Sequence, residues 1–127
     1  MPGGDGQAER IRKLTGGHGV NAVFDFVGVT ATIGLAVATV ARQGRITVVG
    51  IAGGTFEWNF YSVPYEVDFT STYWGTLAEL HEVAALYRAG RIAPDVEFFM
   101  MDDALEAYRR LQQGEISGRA VVTPNGR

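Results

Sequence analysis

The sequence predicts an α/β fold built around a mainly parallel sheet. Three observations carry this expectation. Short, almost continuous apolar runs occur at "NAVFDFVG" (Asn21 to Gly28) and "RITVVG" (Arg45 to Gly50), and such runs suit strands buried on both faces. An alanine-rich segment, "ATIGLAVATVAR", lies between them and is long enough for a buried helix. Glycines, 17 in 127 residues, fall at the ends of the expected elements, where tight strand–helix turns need them. A strand, a helix and a strand within about 30 residues form a βαβ unit, whose crossover is expected to be right-handed.

The elements follow in order. Residues 1 to 4 read as loose, and Asp5 can cap a helix running to about Leu14, with Ile11 and Leu14 on its apolar side. Gly16 and Gly17 end it, because glycine tolerates the left-handed position after a helix. The first strand is Asn21 to Gly28. Thr30 can cap the alanine-rich helix, which Gly34 and the β-branched residues weaken and Gly44 closes. "RITVVG" is the second strand. The aromatic stretch "TFEWNFYSVPYE" is irregular, since Pro64 forbids a central strand there. Val67 to Gly75 alternates and is rich in β-branched and aromatic residues, so it reads as a third strand. Thr76 and Glu79 form a capping box, Thr-x-x-Glu, that opens a helix stopping at Gly90. "DVEFFMM" is a fourth strand, Asp103 and Glu106 mark another helix start, and "GRAVVTP" is a last short strand. Alternation of this kind implies an α/β layer structure.

Composition narrows the function classes. One domain with its own hydrophobic core is the expectation for 127 residues. The apolar fraction of 46% and the charged fraction of 20% are those of a globular protein. The net charge is -3 without a basic stripe, so no nucleic-acid partner is expected. Arg109-Arg110 is the densest basic spot and reads as a solvated helix face. The absence of cysteine removes disulfides, thiolate catalysis and cysteine-ligated zinc. No apolar run approaches the ~20 residues of a membrane span, and the first ten residues lack the apolar core of a signal peptide. A cytoplasmic, soluble protein is expected, with no membrane partner.

The chemistry-bearing motifs are few. A G-x-G-x-x-G fingerprint needs glycines at i, i+2 and i+5, and none of the 17 completes it; Gly17-His18-Gly19 fails at Ala22. No Gly-Lys-Ser/Thr occurs, so a Walker-A loop is also missing. Both motifs rest on backbone geometry that only glycine permits. Gly50-Ile51-Ala52-Gly53-Gly54 admits two readings: a ligand-binding turn at the carboxyl end of a parallel strand, where open α/β sheets place ligands, or a plain loop. His18 and His81 have no second histidine at metal-ligand spacing and read as structural or exposed. Asp25 interrupts "AVFDFV"; a carboxylate there must be hydrogen-bonded or lie near the strand's solvent end. A bond to backbone or a neighbouring loop is the preferred reading. No Ser-His-Asp set or Ser/Tyr/Lys triad has suggestive spacing, and no catalytic residue is assigned.

Four stretches, "LTGGHGVNAVFDFVG", "GRITVVGIAGG", "STYWGTLAELHEVAALYRAGRI" and "DDALEAYRRLQQGEISGRAVVTP", together resemble the C-terminal portion of the zinc-type alcohol dehydrogenases, in the medium-chain dehydrogenase/reductase superfamily. The resemblance runs from about Glu9 to Pro124, and the closing "GEISGRAVV" is its most specific piece. It implies the second half of a doubly wound parallel sheet, a partial Rossmann fold over residues 1–94. A C-terminal return segment of strand, helix and strand follows over 95–127. Asn21–Val27, Arg45–Val49 and Val67–Trp74 match the family's fourth, fifth and sixth strands. The family's catalytic domain, first Rossmann half, zinc ligands and proton relay have no counterpart, so no metal ligand is assigned.

The same resemblance implies cofactor contacts by position. Gly28 matches the end of the fourth strand, on the adenosine and pyrophosphate side. Val49, Gly50 and Ile51 match the segment whose backbone meets the nicotinamide carboxamide. Tyr73 and Trp74 border that ring, and Arg119 matches a late arginine that reaches the cofactor phosphates, a fitting use of a guanidinium; a surface arginine before a strand is the alternative. The implied cofactor is NAD or NADP, held weakly. The family pairs subunits near its sixth strand, so a homodimer through the Trp58 to Phe69 region is implied. The function implied is that of a truncated alcohol dehydrogenase-like oxidoreductase. Its parent reaction is hydride transfer between an alcohol and an aldehyde or ketone, and the chain is not expected to be active alone. A non-catalytic nucleotide-binding or association domain is the alternative. A third reading, a disrupted gene product, predicts exposed apolar residues on the first strand.

Overall fold

The computed structural model describes residues 6–126, and the chain divides into two units between Trp74 and Gly75. The expectations for residues 1 to 5, including capping by Asp5, lie outside the described residues.

In the first unit, helix α1 (Gln7–Leu14) leads into strand β1 (Val20–Asp25), helix α2 (Thr30–Thr39), strand β2 (Val40–Val48) and strand β3 (Asp68–Ser71). The three strands form one sheet in the order β1-β2-β3, with both pairings parallel. Parallel pairing needs a crossover between strands, and α2 supplies the first. The core is Ala36, Val40 and Ile46, with Val23, Val37, Val48 and Val67 packed around it. Val40 and Ile46 are 0% exposed. Burying each side chain is worth about 1.5–3 kcal/mol, so these two residues pin α2 onto the sheet.

The second unit holds helix α3 (Leu77–Arg88), strand β4 (Val96–Met100), a single 3₁₀ turn (Met101–Asp103), helix α4 (Ala104–Gln112) and strand β5 (Arg119–Thr123). Strands β4 and β5 form their own parallel pair, from Val96 opposite Arg119 to Met100 opposite Thr123. Ala107 on α4 is buried. The expected capping box opens α3: Glu79 N–H donates to Thr76 Oγ1 at 3.2 Å, and Thr76 N–H donates to Glu79 Oε2 at 2.6 Å. Arg110 is more than a solvated face. It pairs with Glu97 at 2.8 Å, and its guanidinium lies 5.5 Å from the Phe99 ring centre, tying α4 to β4.

Several boundaries differ from the sequence expectation. Helix α2 ends at Thr39, where Val40 turns to an extended conformation and buries its side chain; Gly44 does not close it. Instead Gly44 sits in an irregular stretch of β2, since Val20 pairs with Val40 but Ala22 pairs with Arg45. Gly44 is required there, because a Cβ would lie 2.7 Å from Val40 Cγ2 and 2.9 Å from Ala41 O. Thr30 is the first residue of α2 rather than its cap; Val29 holds the capping position. Strand β1 is not buried on both faces. It is an edge strand of its sheet, and Phe24, with the following Phe26 and Val27, is exposed. Strand β3 stops at Ser71, short of the expected Gly75, and all four of its residues are exposed. Leu14 is exposed rather than apolar-side core. The parallel strands form two sheets, β1-β2-β3 and β4-β5.

Candidate cofactor-binding edge

The three strands of the first unit end in one register row: Asp25 pairs with Val48, and Val48 pairs with Ser71. The segments carrying Gly28, Val49-Gly50-Ile51 and Tyr73-Trp74 therefore leave the same edge of the sheet, at its carboxyl ends. Open α/β sheets bind ligands at this edge.

Asp25 organises that edge through hydrogen bonds. It is the last residue of β1 and 6% exposed. Its Oδ1 accepts from Val27 N–H at 3.0 Å and Gly28 N–H at 2.9 Å, and its Oδ2 accepts from Thr32 Oγ1 at 2.8 Å. Burial pushes the carboxyl's pKa upward, but the bonds from Gly28, Thr32 and Val27 outweigh it, and the group is held below its ordinary value. The carboxylate thus closes a turn, as the sequence reading preferred. Thr32 was not singled out from the sequence, although an Asp followed by glycine three residues on is a recognisable turn signal.

Backbone bonds fasten the two loops beyond β1 and β2. Val49 N–H and Gly50 N–H both donate to Asp25 O, at 2.8 and 3.0 Å. Ala52 N–H reaches Val27 O at 3.3 Å, and Gly54 N–H reaches Gly28 O at 2.8 Å. Thr55 N–H donates to Thr30 Oγ1 at 3.1 Å, tying the second loop to the start of α2. The loops touch so closely that glycine is required at both. A Cβ on Gly28 would lie 2.3 Å from Gly50 O, and one on Gly50 would lie 2.2 Å from the Val27 carbonyl carbon. These glycines make room for protein backbone.

This geometry sorts the sequence-predicted site residues. Gly28, Val49 and Gly50 have their N–H groups committed within the protein. Ile51 is 86% exposed, and its N–H donates to no group among the described residues. Tyr73 and Trp74 are 88% and 76% exposed, and their rings meet edge to face with centres 5.9 Å apart. Arg119 lies in the second unit, at the start of β5; its N–H donates to Asp95 O at 2.9 Å and its side chain is exposed. Among the described residues no three His, Cys, Asp or Glu side chains gather as a metal would require. The donor set therefore does not fit a zinc ion.

Residues 4–122 match the family model described as zinc-binding dehydrogenase, and the chain belongs to that family. It is 30% identical over 115 residues to D-arabinose 1-dehydrogenase (NADP(+)) of Saccharolobus solfataricus, a match covering 90% of this chain and 33% of that protein. It is 32% identical over 119 residues to an NAD-dependent alcohol dehydrogenase of Sulfolobus acidocaldarius, covering 90% and 34%. Among solved structures it resembles the alcohol dehydrogenase of Aeropyrum pernix with a TM-score of 0.81 and 34% identity, over 92% of this chain and 34% of that one. The chain spans about a third of the length of the curated relatives it matches. The fold is that of part of the nucleotide-binding half of such dehydrogenases.

Proposed function

We propose that the chain forms one wall of a nicotinamide-dinucleotide site of an alcohol dehydrogenase-like oxidoreductase, and that it does not catalyse hydride transfer alone. The observation that supports this is the shared register row of Asp25, Val48 and Ser71, which brings the three segments proposed to contact the cofactor to one edge. The free Ile51 N–H supplies a donor suited to a carboxamide oxygen, and the exposed Tyr73 and Trp74 rings supply apolar surface beside it. Arg119 is proposed as the phosphate contact. The cofactor, when bound, supplies the hydride acceptor or donor; this chain's residues bind and orient it. Relatives named for NADP(+) and for NAD both match, so both cofactors are candidates. Zinc is not assigned a place here, because the donor set does not fit it.

We also propose a homodimer through the Trp58 to Phe69 region. Strand β3 is the outer strand of its sheet, and Trp58, Phe60, Tyr61 and Tyr65 beside it are exposed. Exposed aromatics near an edge strand favour association. A reducing cytoplasmic setting accords with a chain that has no cysteine. Among the described residues no helix is long and apolar enough to cross a membrane. The direct test is calorimetry of the purified chain with NAD and with NADP, comparing wild type with Arg119→Ala. A non-catalytic nucleotide-binding or association domain gives the same binding; the parent reaction is separated from it by the appearance of activity when the other two thirds of a relative is supplied in trans.

A further inference from the structure

The chain has three asparagines, Asn21, Asn59 and Asn125, and their surroundings differ in ways that decide how stable each side-chain amide is. Asparagine is a thermolabile residue. It loses its amide when the backbone nitrogen of the next residue attacks its Cγ. The attack needs a small following residue, a backbone outside regular structure, and an amide group that is not already bonded. Glycine meets the first condition best, because it has no Cβ and the widest conformational range.

Asn125 meets all three conditions. Strand β5 ends at Thr123, and Pro124 and Asn125 form the turn that follows. Asn125 is exposed, and its side-chain amide makes no hydrogen bond among the described residues. The next residue is Gly126, with φ +76°, and its N–H donates to no backbone carbonyl among the described residues. The space around the pair is open, since a Cβ on Gly126 would meet Met100 Cε at 3.9 Å, an ordinary contact. Asn59 is held instead. Its N–H donates to Ser62 Oγ at 2.9 Å, its Oδ1 accepts from Tyr61 N–H at 2.8 Å, its carbonyl accepts from Ser62 N–H at 3.0 Å, and the bulky Phe60 follows it. Asn21 lies within β1, and the residue after it, Ala22, is in register with Arg45 of β2.

We infer that Asn125-Gly126 is a modification site, at which Asn125 converts through a cyclic imide to aspartate and isoaspartate. Gly126 N loses its proton to solvent and bonds to Asn125 Cγ, and the Cγ–Nδ2 bond breaks with departure of ammonia. Water then opens the ring. Breaking the bond from Gly126 N to Cγ gives aspartate; breaking the bond from Gly126 N to the Asn125 carbonyl carbon gives isoaspartate, whose main chain runs through Cγ. Nothing is oxidised or reduced, and either product carries one negative charge more than asparagine. The change falls just beyond the Met100–Thr123 rung that ends the β4–β5 pair.

The experiment is ageing of the purified, folded chain at mildly alkaline pH, followed by peptide mapping with fragmentation that separates aspartate from isoaspartate. An unstructured Thr-Pro-Asn-Gly-Arg peptide sets the time needed. The expected result is conversion of Asn125 at least tenfold faster than Asn21 or Asn59, with isoaspartate among the products and a rate that rises with pH. Gly126→Ala and Asn125→Gln are each expected to slow conversion at this position at least tenfold. Both positions lie outside helices and strands, so the variants keep the fold, and a wild-type-like amide spectrum verifies this. The inference is overturned if Asn125 keeps its amide while the peptide converts, if Asn21 or Asn59 converts as fast, if aspartate forms without isoaspartate, or if Gly126→Ala converts at the wild-type rate.

Discussion

Asp25 and Thr32, seven residues apart, are joined by a 2.8 Å hydrogen bond from the threonine hydroxyl to the carboxylate. The bond links the last residue of β1 to the first turn of α2, and with the N–H groups of Val27 and Gly28 it fixes the turn at which the proposed cofactor edge begins. The carboxylate is therefore structural, and its removal is expected to act on stability before it acts on binding.

Asp25→Ala is expected to destabilise the chain by about 2–3 kcal/mol, because charge-assisted hydrogen bonds are lost and buried N–H groups are left without a partner. Asp25→Asn should cost less. Urea unfolding followed by circular dichroism measures both. The pH dependence has a definite sign. The folded carboxyl is held below its ordinary value of 3.8, so its stabilising effect is complete above that value and is lost as the pH falls through the lower folded value. Wild type should lose stability more steeply than Asp25→Asn below about pH 4. Parallel acid profiles would remove the carboxylate from this role.

Two glycines in neighbouring positions should respond differently to alanine. At Gly50 a Cβ would meet the Val27 backbone at 2.2 Å, so the loops must part, at a cost of about 1–3 kcal/mol or more. At Gly53, with φ +78° and nothing within 4 Å, only the left-handed conformation opposes alanine, costing about 1–2 kcal/mol. Gly50→Ala should in addition perturb the amide signals of residues 26–30, which Gly53→Ala should leave in place. Equal spectra for the two variants would contradict the loop contact.

Thr76→Ala removes the side-chain cap of α3 and should cost about 1 kcal/mol. Hydrogen exchange should show faster exchange confined to the first turns of α3. Unchanged exchange there would mean that the capping box does not hold the helix.

Trp58→Lys tests the dimer. Trp58 is exposed in the loop before β3, and a lysine there should shift sedimentation from dimer toward monomer without loss of fold. A wild-type chain that sediments as a monomer at every concentration would sink the proposal.

The fold was legible where local chemistry and tertiary structure agree. The apolar runs, the alanine-rich helix and the Thr76–Glu79 capping box each follow from short-range rules. Asp25 was legible because a carboxylate at a strand end must find donors. The misses come from long-range causes. Thr39-Val40 reads as helix until the core claims the Val40 side chain, which ends α2 five residues before Gly44. The length of β3 is set by its partner: β2 ends at Val48, the last ladder bond is Thr72 N–H to Val48 O at 3.0 Å, and among the described residues no strand pairs with Tyr73. Phe24 points to the face of β1 opposite Val23, and that face is not covered among the described residues, which its own residues do not declare. At the candidate site, the family resemblance assigned Gly28 to the adenosine and pyrophosphate side of the cofactor and Gly50 to its nicotinamide carboxamide. It gave no sign that their glycines serve each other, because that contact depends on register.

The central claim is that this chain retains one usable wall of a dinucleotide site. Isothermal titration calorimetry with NAD and NADP tests it most directly, set beside an assay for turnover of alcohols with either cofactor and zinc. The expected result is weak, saturable binding of at least one cofactor, reduced by Arg119→Ala and by Ile51→Pro, with no turnover. No binding heat for either cofactor at millimolar concentration, or metal-dependent saturable turnover by the chain alone, would contradict it.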